Sequence, residues 1–320
     1  MNRYARQIAL SQVGPSGQAR LRDAHVLVAG AGGLGMPVLQ YLVGAGVGTI
    51  TLIDGDCVAI TNLHRQPLYR MSDVGRPKVD AAAQAMKALN PEVTLHAICE
   101  WLTPQNAPLL VAQADLIIDC ADTFAASFTL SDAAHPLGKP LISASALGLS
   151  GYVGGFCGPA PSLRAVFPDL PSSAATCETA GVLGPVVAII GATQAQMALA
   201  VLLEFSPSPL GQMMIVDTAN WRMSGFRFDG APEPASPAPF IAQSQIRPED
   251  FVIDLRTEAA LPFSAAALHL SSRSLHDLEL PTPDTRIVLA CRTGLRAHHA
   301  AADLRKRWAG DIALLAVTEI

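Results

Sequence analysis

The sequence is short of charge, of aromatic rings and of lysine. Of its 320 residues, 15% are charged and 5% aromatic. Lysine stands only at Lys78, Lys87, Lys139 and Lys306, with no basic run anywhere. A formal net charge of -5 without a basic stripe argues against general nucleic-acid binding, which needs a positive surface for phosphates. The missing polybasic cluster argues in the same way against anchoring to an anionic bilayer. No apolar segment follows Met1-Asn2-Arg3-Tyr4-Ala5-Arg6 in the manner of an export signal. No two of the six cysteines (Cys57, Cys99, Cys120, Cys157, Cys177, Cys291) have CxxC spacing. The expectation is a reduced, cytoplasmic protein without a disulfide framework.

What is abundant is apolar: hydrophobic residues make up 50% of the chain, enough to bury a large core. The length fits one large domain or two ordinary ones. The run from Gly181 to Phe205 is nearly all apolar and about as long as a membrane span. It also holds Pro185, Gln194 and Gln196, and it stands alone in a chain patterned as α/β, which favours a helix in a core or subunit interface.

Elements alternate along the chain. His25–Ala29 reads as a buried strand, Gly30–Gly35 as a turn, Met36–Val43 as a helix and Thr49–Asp54 as a second strand. That βαβ pattern implies a parallel sheet. Helical spacing covers Val79–Leu89; strands are expected at Thr94–Ile98, Leu116–Asp119, Pro140–Ala144, Tyr152–Cys157, Met213–Asp217 and Gly225–Phe228. Pro232, Pro234, Pro237 and Pro239 then mark 230–248 as an extended linker. It separates a domain over 1–229 from a smaller one over 249–320, with strands at Phe251–Asp254 and Arg286–Ala290 and a helix reaching Trp308.

Gly30, Gly32 and Gly35 form G-x-G-x-x-G between a strand and a helix, with Gly33 inside it. Such a turn lets the backbone and a helix N-terminus approach phosphates. Asp54, at the end of the next strand, suits ribose hydroxyls. The motif leaves nicotinamide, flavin and other adenine nucleotides open. Arg65 and Lys78 lie in loop-like stretches beyond it and suit a triphosphate, whose departing pyrophosphate needs cations.

Seven blocks in order resemble the ThiF/MoeB/HesA family, relatives of the catalytic half of ubiquitin-activating enzymes. They are Arg3–Ile8, the Gly30–Gly35 turn, Asp54-Gly55-Asp56, Asn62–Gln66, Pro77-Lys78, Asp119–Asp122 and Cys177–Pro185. The resemblance covers about 1–229 and leans toward ThiF. It implies a Rossmann-like adenylation domain with a mixed, mostly parallel sheet. It also implies ATP and Mg²⁺, and a small ubiquitin-fold sulfur carrier, ThiS- or MoaD-like, whose terminal Gly-Gly carboxylate is adenylated in thiamin or molybdopterin biosynthesis. Residue by residue, Asp54 would hold ribose, and Asn62, Arg65 and Lys78 the phosphates, with Asp56 and Gln66 beside them. Asp122 would serve Mg²⁺. Arg6 would reach the neighbouring subunit of a homodimer, and Cys177 would attack the activated carrier. Family members usually carry two CxxC pairs for structural zinc. Here Ser162-Leu163-Arg164-Ala165 and 229–236 stand in their places, so no zinc is expected. Thr123 and Ser127 replace the family's Asn and Arg, which keeps open a catalytically impaired carrier-binding protein. An NAD-dependent oxidoreductase is the other alternative.

Cys291-Arg292-Thr293-Gly294-Leu295-Arg296, after a strand and before a helix, resembles the active loop of rhodanese domains, and Asp254-Leu255-Arg256 their Asp-x-Arg strand. That resemblance is short, about 251–317. It implies a persulfide at Cys291, steadied by Arg292, Arg296 and a helix N-terminus, with sulfur supplied by a partner such as a cysteine desulfurase. Cys57, Cys99, Cys120 and Cys157 read as inert core thiols.

Overall fold

The computed structural model describes residues 3–170, 181–256, 262–272 and 274–317. Cys177 lies outside the described residues. Short helices α1 (Ala5–Ile8) and α2 (Gly14–Asp23) lead into β1 (His25–Ala29), α3 (Gly35–Ala45) and β2 (Thr49–Ile53). The chain continues through α4 (Lys78–Leu89), β3 (Thr94–Ile98), α5 (Ala107–Gln113), β4 (Leu116–Asp119), α6 (Phe124–Ala134), β5 (Pro140–Leu147) and β6 (Ser150–Cys157). Then come α7 (Leu163–Val166), α8 (Gly184–Leu202), β7 (Gln212–Asp217) and β8 (Arg222–Arg227).

These strands form one eight-stranded sheet in the order β3-β2-β1-β4-β5-β6-β7-β8. Pairing is parallel from β3 through β5 and antiparallel from β5 to β8. The sheet is therefore mixed, and its order reverses between β1 and β4, where α/β sheets open a crevice at the strands' carboxyl ends. The central strands are apolar on both faces because helices cover both. Leu116, Ile117 and Ile118 of β4 are fully buried, each contributing about 1.5–3 kcal/mol of burial. α3 runs through Gly44 and stops at Gly46, which takes the left-handed conformation at φ 82°.

The apolar helix α8 is long and apolar enough to cross a membrane, by length and composition alone. In the fold it packs on α3 and on β5 and β6, burying Val186, Val187, Ile190 and Met197. Its other side remains partly exposed, with Leu183 at 58% at the entry.

A second, parallel sheet follows in the order β10-β9-β11-β12, built from β9 (Phe251–Asp254), β10 (Leu268–His269), β11 (Ile287–Cys291) and β12 (Ile312–Ala316). Helix α9 (Leu295–Leu304) packs on β11 and β12. Cys291 thus closes β11 rather than opening the loop. The stretch 230–248 is no free tether. Ala238, Phe240 and Ile241 are buried, and residues 239–241 pair with Leu314 beside β12. Apolar side chains between the prolines drive this docking. One apolar cluster runs from Leu27 and Phe128 of the first sheet layer to Ile253, Cys291 and Leu295 of the second.

Two cysteine readings need correction. Cys57 and Cys99 are exposed, not core. Cys57 lies in an irregular segment bridged to Pro77, and Cys99 follows β3, an edge strand with little cover. Cys120 and Cys157 are buried, and burial pushes the Cys157 thiol up to about 12.

Candidate functional site

The glycine turn joins β1 to α3 at the point where the sheet order reverses. Its conformation is clamped at Ala31. The Ala31 N–H donates to Asp54 Oδ2 at 2.7 Å, and the buried Tyr69 hydroxyl donates to the Ala31 carbonyl at 2.7 Å. Asp54 also accepts from the Asp56 N–H at 2.8 Å, so one carboxylate ties the two loops at the carboxyl ends of β1 and β2. Burial raises the Asp54 pKa, against the pull of those amides and of Lys78.

The glycines divide by what their side-chain space meets. A Cβ on Gly30 would lie 2.6 Å from the Cys120 carbonyl oxygen, and Gly30 has φ +105°. One on Gly35 would lie 2.0 Å from the Gly30 oxygen, and one on Gly33 2.7 Å from Val187. Gly32 differs: its nearest neighbour would be Gln66 Nε2 at 3.6 Å, an ordinary contact. The protein needs three of these glycines for its own packing, whereas at Gly32 a side chain would meet nothing closer than ordinary contact. Beside it, Gln66 is buried and its Oε1 has no hydrogen-bond partner. The backbone N–H groups at the α3 N-terminus suit phosphate oxygens, while the orphaned acceptor Gln66 Oε1 beside them suits a donor on the ligand, such as a hydroxyl or amino group.

Lys78 begins α4 and is 6% exposed; its Nζ pairs with Asp56 Oδ2 at 2.5 Å. Asn62 spends its Oδ1 on the Ala59 N–H at 2.9 Å and so shapes the loop carrying Arg65 and Gln66. Arg65 is folded onto that loop, on the Thr61 carbonyl at 2.9 Å and beside His64 at 3.0 Å. Asp122 is exposed just past β4, next to the Cys120–Ala121 backbone on which Gly30 rests. Arg6 is exposed on α1, near the Gly46 end of α3 where Tyr4 packs. The structure therefore brings together the turn, Asp54, Asp56, Asn62, Gln66, Lys78 and Asp122. Arg65 is turned aside, and Arg6 sits at the far end of α3.

Several contributors were given no structural role from the sequence, although Asp119 and Gly184 lie in the family blocks and Gln194 in the apolar run. Gln194, in the apolar helix α8, is fully buried and donates to the carbonyls of Asp119 (2.6 Å) and Ile142 (3.1 Å). Asp119, buried at the end of β4, accepts from Ser143 Oγ at 2.7 Å and from the Ala121 N–H at 3.1 Å. Burial raises its pKa despite these donors. Gly184 lets the α8 N-terminus approach His64, whose carbonyl oxygen would lie 2.6 Å from a Cβ there. Thr123 caps α6 by accepting from the Ala126 N–H at 3.3 Å, and Ser127 Oγ donates to the Thr123 carbonyl at 3.3 Å. Neither supplies a cation. Among the described residues no group of three or more His, Cys, Asp or Glu side chains could hold a metal ion.

In the second unit Asp254 is fully buried and Arg256 forks back onto it, the closest contact being 2.9 Å. Burial opposes ionisation of Asp254, but the bonds from Arg256 and from two backbone amides outweigh it and lower its pKa. Cys291 is fully buried, with Sγ accepting from the Ala297 N–H at 3.4 Å. Arg292 is exposed, and Arg296 donates to the Leu255 carbonyl at 2.8 Å.

Comparison with known proteins gives these features a family context. The ThiF family model matches residues 4–238, well over half of the chain. A protein named sulfur carrier protein adenylyltransferase from Thermus thermophilus is 43% identical over 225 residues, 68% of this chain and 83% of that protein. A protein named adenylyltransferase and sulfurtransferase uba4 from Emericella nidulans is 47% identical over 211 residues, 62% of this chain but 44% of that protein. The chain spans half or less of the length of its fungal relatives of this name. Among solved structures, PaaA superposes with TM-score 0.60 at 26% identity, covering 70% of this chain and 72% of that one. E. coli MccB superposes with TM-score 0.63 at 21% identity, covering 73% and 74%, a likeness of fold.

Proposed function

The chain belongs to the ThiF family, and from that premise we propose that it adenylates the C-terminal carboxylate of a small ubiquitin-fold sulfur carrier. The observation that carries this reading is the open Gly32 face beside the orphaned Gln66 Oε1, with buried Lys78 and exposed Asp122 at the same crevice. ATP is the substrate of this step. A carboxylate oxygen of the carrier attacks the α-phosphorus, the bond to the β-phosphate oxygen breaks, and pyrophosphate leaves. Asp54 accepts from ribose hydroxyls, while the turn's N–H groups and the α3 N-terminus hold phosphate oxygens. Lys78 neutralises the departing charge, and to do so it must share or leave its Asp56 partner. Arg65 swings from its loop to do the same, and Asn62 and Gln66 fix the loop behind it. Mg²⁺ supplies further neutralisation when bound with ATP, and Asp122 is the residue to hold it. Arg6 serves the site of a second copy, because α3 separates it from its own.

Carrier docking finds support in the outermost strand. β8 is exposed along its length, and Trp221, Met223 and Phe226 are 91%, 67% and 48% exposed. The second unit extends the reading: Cys291 is a sulfur site of rhodanese type, loaded by a donor such as a cysteine desulfurase, and Cys177 is the thiol that meets the activated carrier. A reducing cytoplasm suits such thiols. The carrier belongs to the ThiS or MoaD type, in thiamin or molybdopterin synthesis.

The test is exchange of labelled pyrophosphate into ATP with purified protein, Mg²⁺ and a panel of Gly-Gly carriers. Exchange dependent on one carrier supports adenylation and names the pathway. ATP binding without exchange for any carrier supports a carrier-binding protein instead, with Thr123 and Ser127 as the cause; binding of NAD in place of ATP supports an oxidoreductase.

A further inference from the structure

The segments that would carry zinc in relatives hold no cysteine here, so this chain's residues do not fit that metal. The same two segments are joined by another device. Ser162 donates to Glu233 through its backbone N–H at 2.7 Å and its Oγ at 2.5 Å. Arg164, 6% exposed, forks onto Asp132 of α6 at 2.6 and 2.8 Å and donates to the Ala238 carbonyl at 3.1 Å. Its guanidinium stands 4.7 Å above the Phe128 ring.

Beyond this clasp the chain runs beside β12. The Leu314 N–H donates to the Pro239 carbonyl and the Ile241 N–H to the Leu314 carbonyl, both at 2.8 Å. The pairing lays buried Phe240 against Gly294, in the turn between Cys291 and α9, where a Cβ would meet the ring at 2.5 Å. Gly294 itself has φ +83°. The thiol behind that turn is fully buried.

We propose that residues 233–241 are a strap, fastened by Ser162 and Arg164, that closes the Cys291 loop, and that a reagent reaches Cys291 only when the strap lifts. The clasp is made of hydrogen bonds and the Arg164–Asp132 ion pair, which can open and re-form. Lifting requires loss of the Ser162–Glu233 and Arg164–Ala238 bonds, of the two bonds to Leu314 and of the Phe240 contact. No bond of the eight-stranded sheet has to break. The consequence for sulfur loading rests on the proposed function; the strap itself does not.

The experiment is time-resolved alkylation of the full chain with iodoacetamide, read at each cysteine by peptide mass spectrometry. Exposed Cys57 and Cys99 are the internal references. Cys291 should react at least about tenfold more slowly than either, since local opening limits it. Phe240→Ala and Glu233→Ala should each speed Cys291 about tenfold and leave Cys57 and Cys99 unchanged. Reaction of Cys291 as fast as Cys57 in the unaltered protein overturns the proposal. So does a Cys291 rate unmoved by Glu233→Ala. Should Phe240→Ala also release buried Cys120 and Cys157, general loosening is the cause and Glu233→Ala alone decides. Pyrophosphate exchange does not enter the readout, so failure here is distinct from failure of the adenylation reading.

Discussion

The two candidate sites stand in opposite states of readiness. The first is open: its backbone is clamped by Asp54 and Tyr69, a Cβ on Gly32 would meet no more than ordinary contact with Gln66, and Gln66 holds an unused acceptor. The second is closed, with its thiol buried and an aromatic ring over the turn beside it. A site for a freely diffusing nucleotide can be preorganised without guarding, whereas a reactive thiol gains from being covered until needed. Their carboxylates differ in the same sense. Asp54 and Asp119 are pushed up by burial; Asp250 and Asp254 are pulled down by arginine and amide donors that outweigh it.

The largest effect expected is on chemistry at the first site alone. Lys78→Ala or Asp122→Ala should slow carrier-dependent pyrophosphate exchange by about 10²-fold or more, while Cys291 alkylation stays at its unaltered rate. A matching loss in thiol protection would mean that the two sites are not separable in this way.

Next in size is a division within the glycine turn. Gly35→Ala puts a Cβ against the Gly30 carbonyl and should cost about 1–3 kcal/mol or more of stability, read as a fall in the thermal midpoint. Gly32→Ala meets nothing closer than ordinary contact, so its midpoint should hold while ATP affinity measured by calorimetry falls. Equal ATP affinity in Gly32→Ala would remove the main support for a ligand at that face.

Acid should separate the two units. A carboxylate whose folded pKa is lowered gives stability that is present above its ordinary value and lost as pH falls through the folded value. Asp250 and Asp254 behave so, and hydrogen exchange in β9 and β11 should rise below about pH 4. Asp54 and Asp119 have the opposite sign: their contribution is full at low pH and lost as pH rises through their raised values. Exchange in β1 and β4 should therefore rise at lower pH than in β9 and β11. Simultaneous loosening of both sheets would contradict the comparison.

The smallest effect concerns Thr123. Thr123→Ala removes the α6 cap and should cost about 1 kcal/mol, measured by urea unfolding. Its effect on exchange should stay well below that of Asp122→Ala, since the Asp119–Ala121 backbone that leads into Asp122 is held separately, by Asp119 Oδ1 and by Gln194.

Legibility in the sequence followed the range of the interactions. The βαβ unit, the glycine turn and Asp54 were readable because strand runs, glycines and the acidic residue lie within a short stretch of chain. Seven ordered blocks then carried the family, which the ThiF match bears out. Tyr69, Asp119 and Gln194 were not recognised as the turn's supports because their partners are 38, 24 and 75 residues away, even though Asp119 lies in a family block and Gln194 in the apolar run. Proline spacing marked 230–248 as an extended linker, and composition did not reveal that Phe240 within it has a place to dock. Cys99 looked like a core residue because the pattern of β3 does not announce an edge strand.

The most direct measurement is the mass of the carrier itself. A Gly-Gly carrier incubated briefly with the protein, ATP and Mg²⁺ should gain one adenylyl group at its C-terminal carboxylate, and Lys78→Ala should abolish that gain. A carrier that stays unmodified while ATP is bound, or is cleaved to ADP, would contradict adenylation as the work of the first site.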